Sequence, residues 1–392
     1  MKAMKKVFLI ALSTMGIGMV QAQFSMDAEI RPRSEYRMGT KDSLSVADTR
    51  ATSITTQRTR LNLNYKAEKY TAKVTLQDVR TWGASKTLQK IDDSFNSSSY
   101  IQEAWANIDL VEDVSLKIGR QEISYDDHRI FGNVGWAQQA RTHDLGILKY
   151  NGYLEADLGV TFQGDNGAVE YQDMKYLRLR KSIKDVSLSG LILDTDGLLT
   201  AGTHIKAKYS NFNAALNYYL QKQDDDVTVV NASLIGLDLN YKLNNMSFGL
   251  GYEQQSGNSA VEDNGENNAF APLFGTNHKF NGLMDYFYVG NHGNNVGLKD
   301  MYVNASYKYN AFMFKATYHM FSAAEEMAND LDAKLGDELD CSIAYKHSTD
   351  ITIKLGYSMA TPTESLVHLK GGSADYSNNW GWLMFVIKPK FM

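Results

Sequence analysis

The sequence predicts an all-β fold: a single transmembrane antiparallel β-barrel of about 18 strands, with short periplasmic turns and long extracellular loops. Three observations predict it. The chain opens with an export leader, apolar and polar residues then alternate one by one along most of its length, and the connections between alternating segments are short and long in turn.

The leader comes first. Lys2, Lys5 and Lys6 precede an apolar run from Val7 to Val20, and Val20-Gln21-Ala22 fits the small-x-small pattern at which secretory leaders are cut. Residues 1–22 are therefore expected to be a signal peptide and residues 23–392 the mature barrel. No cysteine lies near the cut, which argues against a lipid anchor. Loss of the three lysines takes the formal charge from −5 to −8. A single cysteine, Cys341, excludes an intrachain disulfide framework. After the leader no apolar run reaches the length of a membrane helix. An exported chain of this kind is either a soluble periplasmic protein or an outer-membrane barrel.

Alternation decides between them. Ile351, Ile353, Leu355, Tyr357 and Met359 share one parity, with Thr352, Lys354, Gly356 and Ser358 on the other. Phe312–Phe321, Leu339–Lys346 and Ile235–Lys242 repeat the pattern. Period two means a strand with one apolar and one polar face. The template places strands at about 24–38, 54–66, 69–81, 99–110, 113–123, 143–151, 153–163, 172–182 and 185–194. It continues with about 201–210, 211–222, 231–242, 245–255, 299–309, 311–321, 337–347, 350–360 and 379–391. Lengths of this order suit a tilted strand crossing a bilayer, where an open sheet edge is not tolerated.

The connections agree. YKAEKY at 65–70, LVEDV at 110–114, YNGY at 150–153, YSNF at 209–212 and YNAF at 309–312 are short, and longer polar loops fill the alternate positions. Short turns on one rim put both termini in the periplasm. Tyr65, Tyr70, Tyr150, Tyr153, Tyr209, Phe212, Tyr241, Tyr309, Phe312 and Tyr345 flank these turns, as an aromatic girdle would at the lipid headgroups.

If the apolar faces meet lipid, the polar faces line the lumen. Cations outnumber anions there although the whole chain is acidic, and all twelve arginines fall between Arg31 and Arg180. The expected pore-lining, anion-selecting set is Arg31, Arg33, Arg58, Arg60, Arg120, Arg129, Arg141, Arg178, Arg180, Lys206 and Lys208. A guanidinium grips carboxylates and phosphates, so these groups either brace the wall against its own Asp and Glu or select anionic solutes. Sequence leaves both open.

The stretch GRQEISYDDHRIFGNVGWAQQARTHD at 119–144 resembles the signature of the alginate export family of outer-membrane barrels, through Gly119, Arg120, Gln121, Arg129, Trp136, Arg141 and Asp144. LQDVRTWG at 76–83, FGTNHKFNGLMDYFYVG at 274–290 and LGDELDCSIAYK at 335–346 running into LGYSMATP at 355–362 extend the likeness. The resemblance implies an eighteen-strand barrel passing anionic polysaccharide or other small polar solutes.

Asp126, Asp127, His128, His143 and Asp144 could suggest a metal centre, but they lack ligand spacing, and no metal or cofactor is expected. Ser124 near His128, or Asp144 beside His143, offers no defined nucleophile geometry, so no enzyme is expected either. Asp126, Asp127 and Asp144 are instead expected to brace the loop. GDNG at 164–167 and Asp224-Asp225-Asp226 read as solvated faces rather than Ca²⁺ sites. Loop 256–298 contains FAPLFGTNHKFNGLMDYF, apolar enough to need cover, and is expected to fold into the barrel mouth, a docked protein being the alternative. Pro32 and Pro389 fall in the first and last strands and should weaken the closing seam, unless each ring sits at a non-bonding position.

The function expected is a passive outer-membrane channel of a Gram-negative bacterium, with lipid and lipopolysaccharide around it and polar, anionic solutes or oligo- and polysaccharide inside it. The alternative is a plugged barrel acting as a surface scaffold or adhesin, with periplasmic or surface protein partners. No nucleic-acid partner is expected.

Overall fold

The structure, a computed structural model, describes residues 23–83, 98–162, 173–225, 229–262, 265–287, 292 and 295–392. The leader at 1–22 and the GDNG segment lie outside the described residues, as does Asp226. In chain order the strands are β1 (Gln23–Met38), β2 (Thr52–Lys66), β3 (Tyr70–Thr81), β4 (Ser98–Val111), β5 (Val114–Gln121), β6 (His143–Asn151), β7 (Glu155–Val160), β8 (Met174–Ile183) and β9 (Val186–Thr195). They continue with β10 (Leu198–Tyr209), β11 (Phe212–Asp224), β12 (Val229–Leu243), β13 (Met246–Gln255), β14 (Leu298–Tyr309), β15 (Phe312–Ser322), β16 (Lys334–Lys346), β17 (Ile351–Pro362) and β18 (Asn378–Ile387). Among the described residues one α-helix, α1 (Glu364–Lys370), sits between β17 and β18.

Every strand pairs antiparallel with its sequence neighbours, and β1 pairs with β18, so an 18-stranded sheet closes on itself. Closure leaves no row of unpaired backbone groups, which is what an apolar solvent demands. The alternation is physical. On β12, Ile235, Leu237 and Leu239 point outward and are exposed, while Val230, Ala232 and Leu234 are buried inside. Aromatics at the short turns contact each other across the strands: Tyr65 and Tyr70 lie 5.7 Å apart, and Phe212 and Tyr241, like Phe312 and Tyr345, 4.7 Å.

Two boundaries differ instructively from the periodic template. β10 begins at Leu198 rather than about 201, and Asp196-Gly197 alone joins it to β9. Both turn residues have positive φ, 51° and 88°. That is the two-residue hairpin conformation Asp-Gly favours, so no long loop exists there. At the other end β18 stops at Ile387, which puts Pro389 in a short tail rather than in the strand. The tail still touches the seam, with the Ala28 amide donating to the Pro389 carbonyl at 3.0 Å.

The interior is not empty. Loop 122–142, between β5 and β6, and loop 256–297, between β13 and β14, carry buried apolar residues that pack on the inner wall. Ile130, Phe131 and Phe270 join Tyr176, Leu193 and Leu234 in one cluster. Met284, Tyr286 and Phe287 join Leu335, Leu366 and Trp380 in another. Side chains of this size contribute roughly 1.5–3 kcal/mol each on burial, enough to hold irregular segments against the wall.

Candidate functional site

The two loops meet. Phe131 and Phe274 form a parallel bridge, their rings 5.6 Å apart, and the Gly132 amide donates to the Phe274 carbonyl at 2.8 Å. The approach is close enough that a β-carbon on Gly132 would lie 2.8 Å from the Thr276 nitrogen, so the contact needs glycine. Arg141 donates to the Gly275 carbonyl at 3.1 Å, and Lys279 to the Asp127 carbonyl at 2.6 Å.

The first wall then grips loop 122–142. Arg31 donates to the carbonyls of Gly135 (2.6 Å), Trp136 (3.1 Å) and Ala137 (3.0 Å) and to the Gln138 side chain (2.8 Å). Arg33 donates to the Trp136 carbonyl at 2.7 Å and to Glu35 at 2.9 Å. Arg58 binds Glu29 at 2.5 Å and reaches the Ala137 carbonyl at 3.3 Å. Backbone carbonyls in a desolvated site need donors, and these guanidiniums supply several each. Arg60 is held by Gln77 and by Glu122 at 3.2 Å.

The remaining arginines of the expected set are also engaged. Arg129 is buried against Glu253, with Phe280 3.4 Å from its guanidinium carbon. Arg178 pairs with Asp126 at 3.0 Å and Arg180 with Glu155 at 2.9 Å. Asp127 accepts from the Arg129 amide at 3.1 Å and from Asn217 at 2.5 Å. Burial opposes its charge, but Arg129, His204, Asn217 and Lys279 together hold its carboxyl below the usual range. Burial, with Arg129 and Lys206 nearby, lowers the Lys279 ammonium. Lys206 and Lys208 have inward parity on β10, where His204 is buried, and form no ion pair among the described residues.

Two assignments need correction. Arg120 shares the parity of Leu116 and Ile118, so it points out of the barrel at the end of β5, and its ion pair with Asp144 at 2.5 Å is about half exposed. Arg120 therefore does not line the pore, and Asp144 braces β5 to β6 rather than the loop.

The far wall grips loop 256–297 with carboxylates. The amides of Leu283 and Met284 donate to Asp340 at 3.2 Å and Glu338 at 2.8 Å, and Asn281 donates to Glu253 at 3.0 Å and Asp300 at 3.2 Å. His319 lies 2.9 Å from Asp300 and 3.7 Å from Asp340. Among the described residues no group of three or more His, Cys, Asp and Glu is placed to hold a metal ion.

At the centre Trp136 stacks on His278 at 4.6 Å, with Trp382 at 4.8 Å, Trp380 at 5.5 Å and the Arg33 guanidinium 4.3 Å from the indole centroid. His278 in turn bonds Asp285 at 2.8 Å. This cluster escapes sequence reasoning, because four distant segments supply it and no spacing links them.

Three cavities surround the crossing. An outer one, toward the Met38 end of β1, has about 490 Å³ and is lined by Arg33, Arg37, Lys41 and Trp136 among others. An inner one of about 470 Å³ carries Arg31, Arg58, Lys315, Lys354 and Lys388 against Glu29. A second inner one, about 370 Å³, carries Asp127, Asp238, Glu253, Asp300 and Asp340 against Arg129 and Lys279.

This architecture is a closed 18-stranded antiparallel barrel, outwardly apolar, with two loops narrowing its interior. Solved structures share it. OccAB4 of Acinetobacter baumannii matches at TM-score 0.69 with 14% identity, covering 95% of this chain and 100% of that one. Pseudomonas aeruginosa OccK9 (OpdG) matches at 0.69 with 12% identity over 95% and 100%. The outer membrane protein opdK from Pseudomonas aeruginosa matches at 0.67 with 11% identity over 94% and 99%. No protein-family model and no curated protein matches the sequence. These findings overturn the resemblance to the alginate export family: the similar barrels are Occ and Opd proteins, and the signature that carried the likeness matches no family model.

Proposed function

We propose that the chain is a passive outer-membrane channel for small polar solutes, with a preference for anions. Both termini lie at the short-turn, periplasmic rim, with lipid and lipopolysaccharide outside the wall. The observation that carries the reading is the set of inward lysines without a counter-ion. Lys206, Lys208, Lys315 and Lys354 have inward parity and no ion pair among the described residues. A fixed charge held outside any ion pair in a confined aqueous space raises the local concentration of counter-ions, and in a channel those are the permeant ions. The arginines serve the reading less directly, because their donors are largely committed to Glu, Asp and loop carbonyls. Cavities on both sides of the loops favour a passage over a sealed scaffold.

Reversal potentials under a salt gradient across planar bilayers test the proposal. Anion preference is expected, falling in Lys315→Ala/Lys354→Ala with conductance retained. Cation preference, or indifference to the double substitution, would remove the lysine argument.

A further inference from the structure

Among the described residues Trp136 alone borders both the outer cavity and the inner basic cavity. On the outer side its neighbour is Arg33, and on the inner side Arg31, two residues along β1. The backbone around the indole is pinned: Arg31 and Arg33 hold the carbonyls of Gly135, Trp136 and Ala137. The ring itself makes no hydrogen bond among the described residues and is only half-buried. Stacking on His278, edge contacts with Trp380 and Trp382 and the Arg33 guanidinium over its face are what keep it in place. All of these are contacts of the side chain alone, so a rotamer change of the ring needs no loop movement.

We propose that the Trp136 indole is the gate between the outer vestibule and the inner basic chamber. A solute passing it leaves the side of the barrel where Arg33 stands and arrives where Arg31, Lys315 and Lys354 stand. An apolar blade between two cationic stations closes the path to hydrated ions while the ring stays stacked, and opens it when the ring swings off His278. The same reasoning separates this path from the acidic chamber, which meets the outer cavity at Leu283 instead. The inference rests on the channel reading above.

The test uses the full barrel in planar bilayers. Cys341, which faces outward, is replaced by serine, and Ala344→Cys, on the inner basic chamber, reports access to a negatively charged thiosulfonate added from the outer side. Trp136→Ala is expected to raise both the single-channel conductance, by roughly twofold or more, and the labelling rate at position 344, by roughly tenfold. His278→Ala, which removes the stacking partner and also releases Asp285, should give the same direction with more frequent current transitions. Trp136→Phe keeps an aromatic blade and is expected between wild type and Trp136→Ala, which keeps the question decidable where the alanine variant fails to assemble. Wild-type current and labelling in all three variants would overturn the gate and leave the channel standing. No current in wild type or any variant would sink the channel reading and the gate with it.

Discussion

Arg129 and Arg120 carry the same group in opposite situations, and the contrast predicts what each does. Arg129 is buried beside Glu253, itself buried near Asp300, so Arg129→Ala strands a carboxylate among carboxylates. Breaking one side of such a pair costs about 3–5 kcal/mol. The expected outcome is a loosened loop 256–297, seen as early proteolytic nicking and a lower urea midpoint. Arg120→Ala breaks a half-exposed pair on the outer face, worth less than about 1 kcal/mol, and should leave ion selectivity at its wild-type value. A selectivity change in Arg120→Ala would restore it to the pore. The parity that puts Lys117 inside already puts Arg120 outside. Charge and the 119–144 signature group it with the lumen set, and neither reports which way a side chain points.

At the scale of elements, strands are more legible than loops, for one physical reason. Period two is a local signal repeated along Ile351–Pro362 or Phe312–Ser322, whereas the folded-in loops are fixed by partners over a hundred residues away, such as Arg31 with Gly135. The apolar character of loop 256–298 marked it as needing cover, but nothing local marks 135–139 as a second crossing segment. The seam shows a single residue acting through its element. Ala28 donates across the seam, so counting by two places Pro32 with its ring nitrogen toward β18. The β1–β18 register runs through Ile30↔Ile387 and resumes at Arg33↔Met384, with Arg31 and Pro32 unpaired on that side while both still pair with β2. A donor missing from the ladder accounts for the gap. Amides of β18 near Phe385 are therefore expected to exchange faster than those of β12 near Leu237, and Pro32→Ala should narrow the difference. Equal protection in the wild type would show that the gap carries no energetic weight.

The barrel wall inverts the usual arrangement, with apolar side chains facing out and most charged ones facing in. Leu237, Leu239, Val303 and Leu355 are exposed on the outer face, whereas Arg31, Arg58, Asp300 and Glu338 are buried inside. In water an outer band of that extent would be an aggregation surface, and in a bilayer it is the matched surface. Strand parity in the closed sheet sets which residues face out, and two substitutions on one strand test whether that face meets lipid. Leu237 lies near the middle of β12 facing out, and Asn240 lies three residues further on facing in. If the outer face meets hydrocarbon, Leu237→Arg costs about 2–4 kcal/mol at that depth. Asn240→Arg adds a charge to an already polar interior and should stay within about 1 kcal/mol, changing anion preference instead. Reversible urea titration in lipid bilayers, read by the gel shift between folded and unfolded barrel, measures both. Equal costs at the two positions would mean that the outer band does not meet lipid, and the inside-out arrangement would then need another solvent to explain it.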